Sequence, residues 1–328
     1  MSTAMQKAGA TADGINCSLV IPVYRNEENI PSLLEALIAL AGEIGTGFEV
    51  VFVVDGSPDN SYTMLAERLP AMPFQSQLVG LSRNFGAFPA IRTGLELARG
   101  RFFAVLAADL QEPPELITEF FRILRAGEAD VAFGRRTGRA DGWFTKSLSS
   151  AFWYVYRKLV IRDVPAGGVD VFACNEQVRG ALLQIEETNS SLVAQLFWVG
   201  YRRAFVPYRR REREHGKSAW SFGKRFQYML DSIFSFSDFP ILALLWVGTI
   251  GCVVTLVLAV VIYLSWLLGV IEVPGYTPIM LVILFVGFTL LFTQGFIGCY
   301  LWRIAENTRR RPQSLVALSA TYPARDSE

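Results

Sequence analysis

The sequence predicts an α/β domain built on a mostly parallel sheet, followed by interfacial amphipathic helices and a two-helix transmembrane hairpin. Three observations carry that prediction. Short apolar runs alternate with helical periodicities from residue 18 to residue 133, the pattern of strands joined by crossover helices. The polar residues of this stretch gather just beyond the strand ends. Residues 239–302 carry one charge, Glu272, between two uncharged runs, and each run exceeds the ~20 apolar residues that a helix needs to cross a bilayer core.

Residues 18–23 (SLVIPV) read as a buried strand ending near Pro22. Residues 27–40 follow with Ile30, Leu33, Leu34, Leu37 and Ile38 at helical spacing. A second strand spans 48–54 (FEVVFVV) and stops at the turn Asp55-Gly56-Ser57-Pro58-Asp59-Asn60, which also suits the cap of a following helix. Residues 78–81 form a third strand, 87–98 a helix that ends before Gly100, and 102–107 a fourth strand. Pro113 and Pro114 open a helix running to Leu124, and residues 130–133 give a fifth strand. Ligands of such sheets bind beyond the carboxyl ends of the strands. Here those ends carry residues 24–28, 55–60, 82–84, 109–111 and 135–136. Neither G-x-G-x-x-G after the first strand nor a P-loop is present, so a dinucleotide fold and a P-loop are unsupported.

Residues 143–160 and 222–239 mix aromatic with basic side chains, as helices lying in a membrane interface do. The same pattern also fits an ordinary packing helix. The cluster Pro274-Gly275-Tyr276-Thr277-Pro278 breaks helix between the two apolar runs. Basic residues flank the pair: Arg202, Arg203, Arg209, Arg210, Arg211, Arg213, Lys217, Lys224 and Arg225 before it, and Arg303, Arg309, Arg310 and Arg311 after it. The connecting loop has neither Lys nor Arg, which places both flanks and the N-terminal domain in the cytoplasm. The expected organisation is a loose tail to residue 16, a catalytic domain over 17–220, a juxtamembrane helix over 221–238, two spans over 239–304 and a basic cytoplasmic tail over 305–328. The expected location is the inner membrane, multi-pass.

The net charge of +1 predicts no nucleic-acid partner. The four cysteines, at 17, 174, 252 and 299, have no motif spacing, which argues against a zinc site or disulfide framework and fits a reducing compartment. With His215 the single histidine, a histidine-dependent triad has little to draw on. The N-terminus lacks the basic-then-apolar pattern of a signal peptide. Asp109 and Gln111 bring oxygen donors to the end of the fourth strand, and a hard divalent cation takes oxygen ligands. Taken alone, Asp109 reads first as a cap for the helix at Pro113.

Four segments occur in a telling order: Pro22-Val23-Tyr24 with Glu27-Glu28-Asn29, Asp55-Gly56-Ser57-Pro58-Asp59, Ser82-Arg83-Asn84-Phe85-Gly86, and Asp109-Leu110-Gln111-Glu112-Pro113-Pro114. Together they resemble family 2 glycosyltransferases of GT-A fold, and within them the polyprenyl-phosphate hexosyltransferases. The resemblance implies that Pro22, Tyr24, Glu27 and Asp55 hold the base and ribose of a nucleotide sugar. It implies that Asp109 and Gln111 bind Mg²⁺ or Mn²⁺ on its diphosphate, with Arg135 near the reacting phosphates. It further implies that Lys146, Ser149 and Arg213 bind an acceptor lipid phosphate, and that Asp170 corresponds to the Asp of a G-D-F segment. The implied donor is UDP-glucose, the acceptor undecaprenyl phosphate, the assembly a homotetramer. The chain departs from the family at Ala107, where a D-x-D carboxylate is common, and at Val54, Arg25, Asn26 and Ala219. Dolichyl-phosphate mannose synthesis from GDP-mannose and a non-catalytic scaffold are the alternatives. A processive polysaccharide synthase is disfavoured, since no Q-x-x-R-W motif is present.

Overall fold

The computed structural model describes residues 14–137, 169, 171–187, 190–211, 275–309 and 311–325, with scattered positions between 244 and 268. Lys146, Ser149, Asp170 and Arg213 lie outside the described residues.

The predicted strands and helices form in order. β1 (Cys17–Val23) leads through a single 3₁₀ turn to α1 (Ile30–Ile44), then β2 (Phe48–Val54), α2 (Ser61–Arg68), β3 (Gln75–Leu81), α3 (Ala87–Leu97), β4 (Phe102–Val105), α4 (Glu115–Arg125) and β5 (Val131–Arg136). Beyond these come β6 (Phe172–Asn175), α5 (Glu176–Leu183), α6 (Leu192–Trp198), β7 (Arg203–Tyr208), the long α7 (Tyr276–Thr308) and β8 (Val316–Tyr322). One eight-stranded sheet collects the strands in the order β7-β5-β6-β4-β1-β2-β3-β8. β6 runs antiparallel to both β4 and β5, and β8 antiparallel to β3; the other pairings are parallel.

Both faces of the sheet are covered, as central parallel strands require. Every residue of β2 is buried. Val50, Phe52 and Val54 pack with Leu33, Leu37 and Phe120 on one side, while Val51 and Val53 pack with Ala90, Leu95 and Leu196 on the other. α4 buries Leu116, Ile117, Phe120, Phe121, Ile123 and Leu124, each worth about 1.5–3 kcal/mol of transfer free energy. Glu49 is the exception in β2, a fully buried carboxylate. Its oxygens accept from Ser18 Oγ at 2.7 Å, Gln77 Nε2 at 3.2 Å and the Arg99 backbone N–H at 2.6 Å, and Arg99 pairs with it at 3.0 Å. A buried charge survives when it is paired and fully hydrogen-bonded in this way. α3 and α5 cap one another. The Arg92 guanidinium donates to the carbonyls of Leu182, Leu183 and Ile185, and that of Arg179 to Leu95 and Glu96, supplying cations to both helix C-termini.

β6, β7 and β8 were not anticipated. β6 is four residues long, and β7 and β8 are edge strands with mixed burial. The structure also ties down two arginines that the sequence places in a membrane flank. Arg202 pairs with Asp130 at 3.0 Å, and Arg203 donates to the carbonyl of Phe197 at 2.6 Å with its guanidinium over that ring. Hydrogen bonds from Arg202 hold the Asp130 carboxyl below its ordinary value of 3.8, with the Asn175 amide as a smaller contributor. Its stabilisation is therefore complete above that value and lost as pH falls through the depressed folded value. Asp130→Asn should lower stability near neutrality by a modest amount, since the Arg202 end of the pair is exposed, and should flatten the acid limb of a urea-denaturation series so that variant and wild type converge at low pH. An unchanged acid limb would refute the assignment.

Among the described residues, no helix is long and apolar enough to cross a membrane. α7 is 33 residues long, about 50 Å at the rise of an α-helix, and contains the second uncharged run from Tyr276 to Trp302. Its side chains Ile279, Ile283, Phe285, Leu290, Leu301 and Trp302 are exposed. In the first run, Leu244, Trp246, Ile250, Val253, Val254, Val257, Val260, Val261 and Leu264 are helical.

Candidate active site

β1, β2, β4, β5 and β7 share one direction, so their carboxyl ends open on one edge of the sheet. The residues after those ends form the candidate site. At β1 the chain turns sharply at Arg25, whose φ of 53° is left-handed, a costly conformation for a residue with a Cβ. Its guanidinium lies 5.4 Å from the centre of the Tyr24 ring.

The β1 and β2 loops are knitted together. Ser57 Oγ accepts from the Arg25 backbone N–H at 2.8 Å and donates to Asp59. Asp59 Oδ2 accepts from the Glu27 N–H at 3.2 Å, and Glu27 Oε2 accepts from the Asn60 N–H at 2.7 Å. Burial acts to raise the Asp59 pKa, but the hydrogen bonds from Ser57, Ser61 and Glu27 together outweigh it and leave the carboxyl below its ordinary value. Between these loops lies a cleft of ≈ 350 Å³ lined by Arg25, Glu27, Glu28, Pro58 and Asp59. Pro22 lies within β1, one residue before its end. Of the residues expected to hold a nucleotide, Glu27 therefore lines this cleft and Tyr24 adjoins it.

Asp55 is placed differently. It is buried, and its two oxygens accept from the N–H groups of Phe85 at 2.7 Å and Gly86 at 2.8 Å. Burial pushes its carboxyl up, against the lowering effect of those bonds and of Arg83. Gly56, with φ of 55°, passes so close to this loop that an added Cβ would sit 2.2 Å from the Arg83 carbonyl carbon. The β2 and β3 loops thus interlock.

Past β4, Leu110 is the second left-handed non-glycine residue, with φ of 51°. Asp109 and Gln111 flank it, both half-buried. The Gln111 N–H donates to Asp109 Oδ1 at 3.4 Å. The Arg210 guanidinium donates to Gln111 Oε1. Arg210 Nε lies 3.6 Å from the buried Glu112 carboxylate, and the Arg211 N–H donates to the Gln111 carbonyl at 2.8 Å. Sequence reading missed these contacts, because Arg210 and Arg211 were counted in the basic run beside the apolar segments. Arg135 is exposed at the end of β5, and the buried Nε of the neighbouring Arg136 has no hydrogen-bond partner among the described residues.

Among the described residues, no cluster of three or more His, Cys, Asp or Glu side chains is built to hold a metal. Asp109 offers a carboxylate, and Ala107 offers no side-chain donor. This set fits a hard cation that takes one protein carboxylate and completes its oxygen shell from phosphates and water. It does not fit an all-protein cage.

The family model described as glycosyl transferase family 2 matches residues 18–179. An uncharacterised glycosyltransferase of Synechocystis is 33% identical over 303 residues, covering 92% of this chain and 95% of its own. The chain belongs to glycosyl transferase family 2. Two further relatives of this glycosyltransferase bear more specific names. An undecaprenyl-phosphate 4-deoxy-4-formamido-L-arabinose transferase of Proteus mirabilis is 32% identical over 311 residues, 94% of this chain and 95% of its own. A prophage bactoprenol glucosyl transferase homolog of Escherichia coli is 28% identical over 300 residues, 91% of this chain and 97% of its own. The enzyme's mixed α/β, GT-A-like fold gathers these loops at the carboxyl ends of its parallel strands, the edge at which open α/β sheets bind ligands.

Proposed function

We propose that this glycosyltransferase moves a hexose from a nucleotide sugar to a polyprenyl phosphate at the cytoplasmic face of a membrane. The observation that carries the reading is the near-complete match to the undecaprenyl-phosphate transferase of Proteus mirabilis. A match over 311 of 328 residues leaves too few residues aside to exclude the apolar segment 239–302. The similarity therefore extends beyond the sugar-transfer fold into the region that would meet the lipid. Topology supports the same reading. β7 precedes the apolar runs, β8 follows them, and both belong to one sheet. A chain that leaves and rejoins the same domain crosses a bilayer an even number of times, as a two-helix hairpin does.

The chemistry is an inverting displacement. A phosphate oxygen of the lipid attacks the anomeric carbon, the bond to the nucleoside diphosphate breaks, and its electron pair leaves with the diphosphate. The acceptor is already anionic near neutral pH, so a strong general base is unnecessary. Mg²⁺ or Mn²⁺ supplies charge neutralisation to the departing diphosphate when bound. In this proposal Asp109 holds that cation, and Tyr24 and Glu27 frame the nucleotide cleft. Arg135 meets the reacting phosphates, Lys146, Ser149 and Arg213 receive the lipid phosphate, and Asp170 adjoins the transfer site. Glucose from UDP-glucose is the preferred donor, with GDP-mannose the alternative.

The test uses purified full-length protein, undecaprenyl phosphate and a panel of radiolabelled nucleotide sugars, with Mn²⁺, Mg²⁺ or EDTA. Metal-dependent label in the lipid phase from one donor is expected. Ala107 favours a second reading, a scaffold that binds nucleotide sugar without turnover. Binding without transfer from any donor would replace the first reading with that one.

A further inference from the structure

We propose that Arg210 is a positioning residue that sets the conformation of the 109–112 loop and supplies the fixed positive charge beside it. The inference rests on reading that loop as the cation and diphosphate site. β7 ends at Tyr208, and the three arginines that follow do not all serve the flank of an apolar segment. Arg210 reaches Gln111 Oε1 with one end of its guanidinium and the Glu112 carboxylate with the other. Glu112 is 3% exposed in its side chain and Arg210 29%, so this contact is screened far less than a surface pair. Arg211 adds a backbone bond to the Gln111 carbonyl at 2.8 Å and a guanidinium contact to Glu115 at 3.3 Å.

These ties fall on a strained turn. Leu110 holds a left-handed φ of 51°, and such a residue persists only when its surroundings over-determine it. Arg210 and Arg211 provide that constraint from an element 99 residues away in sequence. They also change the meaning of Gln111. Its side-chain oxygen already accepts from a guanidinium, and a divalent cation on the same oxygen would meet a like charge at close range. Gln111 is thereby a strut between Arg210 and the Asp109 turn, and the protein's share of the cation shell reduces to Asp109. With Ala107 in place of a second carboxylate, a guanidinium beside the loop is the compensating cation for a diphosphate.

The test measures nucleotide binding by calorimetry on the detergent-solubilised full chain, using whichever of UDP and GDP the wild type binds more tightly, with Mn²⁺ and with EDTA. Arg210→Ala should weaken Mn²⁺-dependent binding about tenfold, the scale of one lost hydrogen bond to a charged group. Arg210→Lys should fall between, since an ammonium keeps the charge but not the fork. Gln111→Ala spares the Glu112 pair and so guards against a folding failure. It should weaken binding similarly, and the Arg210→Ala/Gln111→Ala double variant should be no worse than Arg210→Ala alone. Binding in EDTA should be unchanged for Gln111→Ala, which keeps the guanidinium, and weakened for Arg210→Ala, which removes the charge beside the diphosphate. Independent, multiplying effects would return Gln111 to the cation shell and overturn the proposal, as would wild-type binding by Arg210→Ala. Asp109→Asn serves as the reference. If it too binds Mn²⁺ and nucleotide as wild type does, the loop is not the cation site and the inference falls with that reading. If it alone loses binding, the site stands and Arg210 does not position it.

Discussion

Asp109→Asn is expected to lower metal-dependent sugar transfer at least about a thousandfold, because the cation's charge stabilisation of a departing diphosphate is worth several kcal/mol. Asparagine has the same shape and keeps an oxygen for the Gln111 N–H, which the native carboxylate accepts at 3.4 Å. The turn at Leu110 is thereby preserved while the negative charge is removed. The loss should be severe because no other group of the loop is placed to take over: Ala107 is apolar, the Glu112 carboxylate is buried against Arg210, and Gln111 Oε1 is engaged by Arg210. A kinetic series in rising Mn²⁺ separates the possibilities. A variant with an unchanged melting temperature and no activity at any Mn²⁺ concentration fits the assignment. Recovery at high Mn²⁺ means that the phosphates alone hold the cation. Full activity at low Mn²⁺ would remove Asp109 from the site.

The first five strands were legible because their local signals agree. Residues 48–54 are β-branched and apolar, flanked by turn residues, and they form β2 with the predicted bounds. β8 was not legible, because Leu315, Val316 and Leu318 remain exposed in the folded chain and nothing local distinguishes an edge strand from a tail. Its pairing with β3 is a long-range choice between residues far apart in sequence. The site divides in the same way. The order of Asp55, Asp59 and Asp109 is visible because each follows a recognisable strand. The Arg210–Gln111 contact was invisible because an arginine run gives no sign of which member turns inward. The apolar runs were plain as composition, but composition does not reveal that the chain returns to the same sheet after them.

Asp55→Ala should cost stability as well as activity, and the two effects together discriminate between its roles. The native carboxylate is 3% exposed and accepts from the N–H groups of Phe85 and Gly86. Alanine leaves both donors without that acceptor, at about 1–3 kcal/mol each. The loop has little freedom to compensate, since Gly56 packs backbone against backbone on Arg83 and Asn84. A total loss of about 2–6 kcal/mol in urea denaturation is expected on the same scale. Asp55→Asn retains one carbonyl acceptor but turns an NH₂ toward the second backbone donor, so it should lose an intermediate amount. The resemblance assigns Asp55 to the nucleotide's base and ribose, whereas the geometry shows both oxygens committed to the Phe85–Gly86 loop. If the role is to hold the loop, nucleotide affinity and stability should fall in step across Asn and Ala. If Asp55 also touches the nucleotide, Asp55→Asn should lose far more affinity than its stability loss accounts for. An Asp55→Ala variant that unfolds at the wild-type urea concentration would show that the β2 and β3 loops are held by something other than this carboxylate.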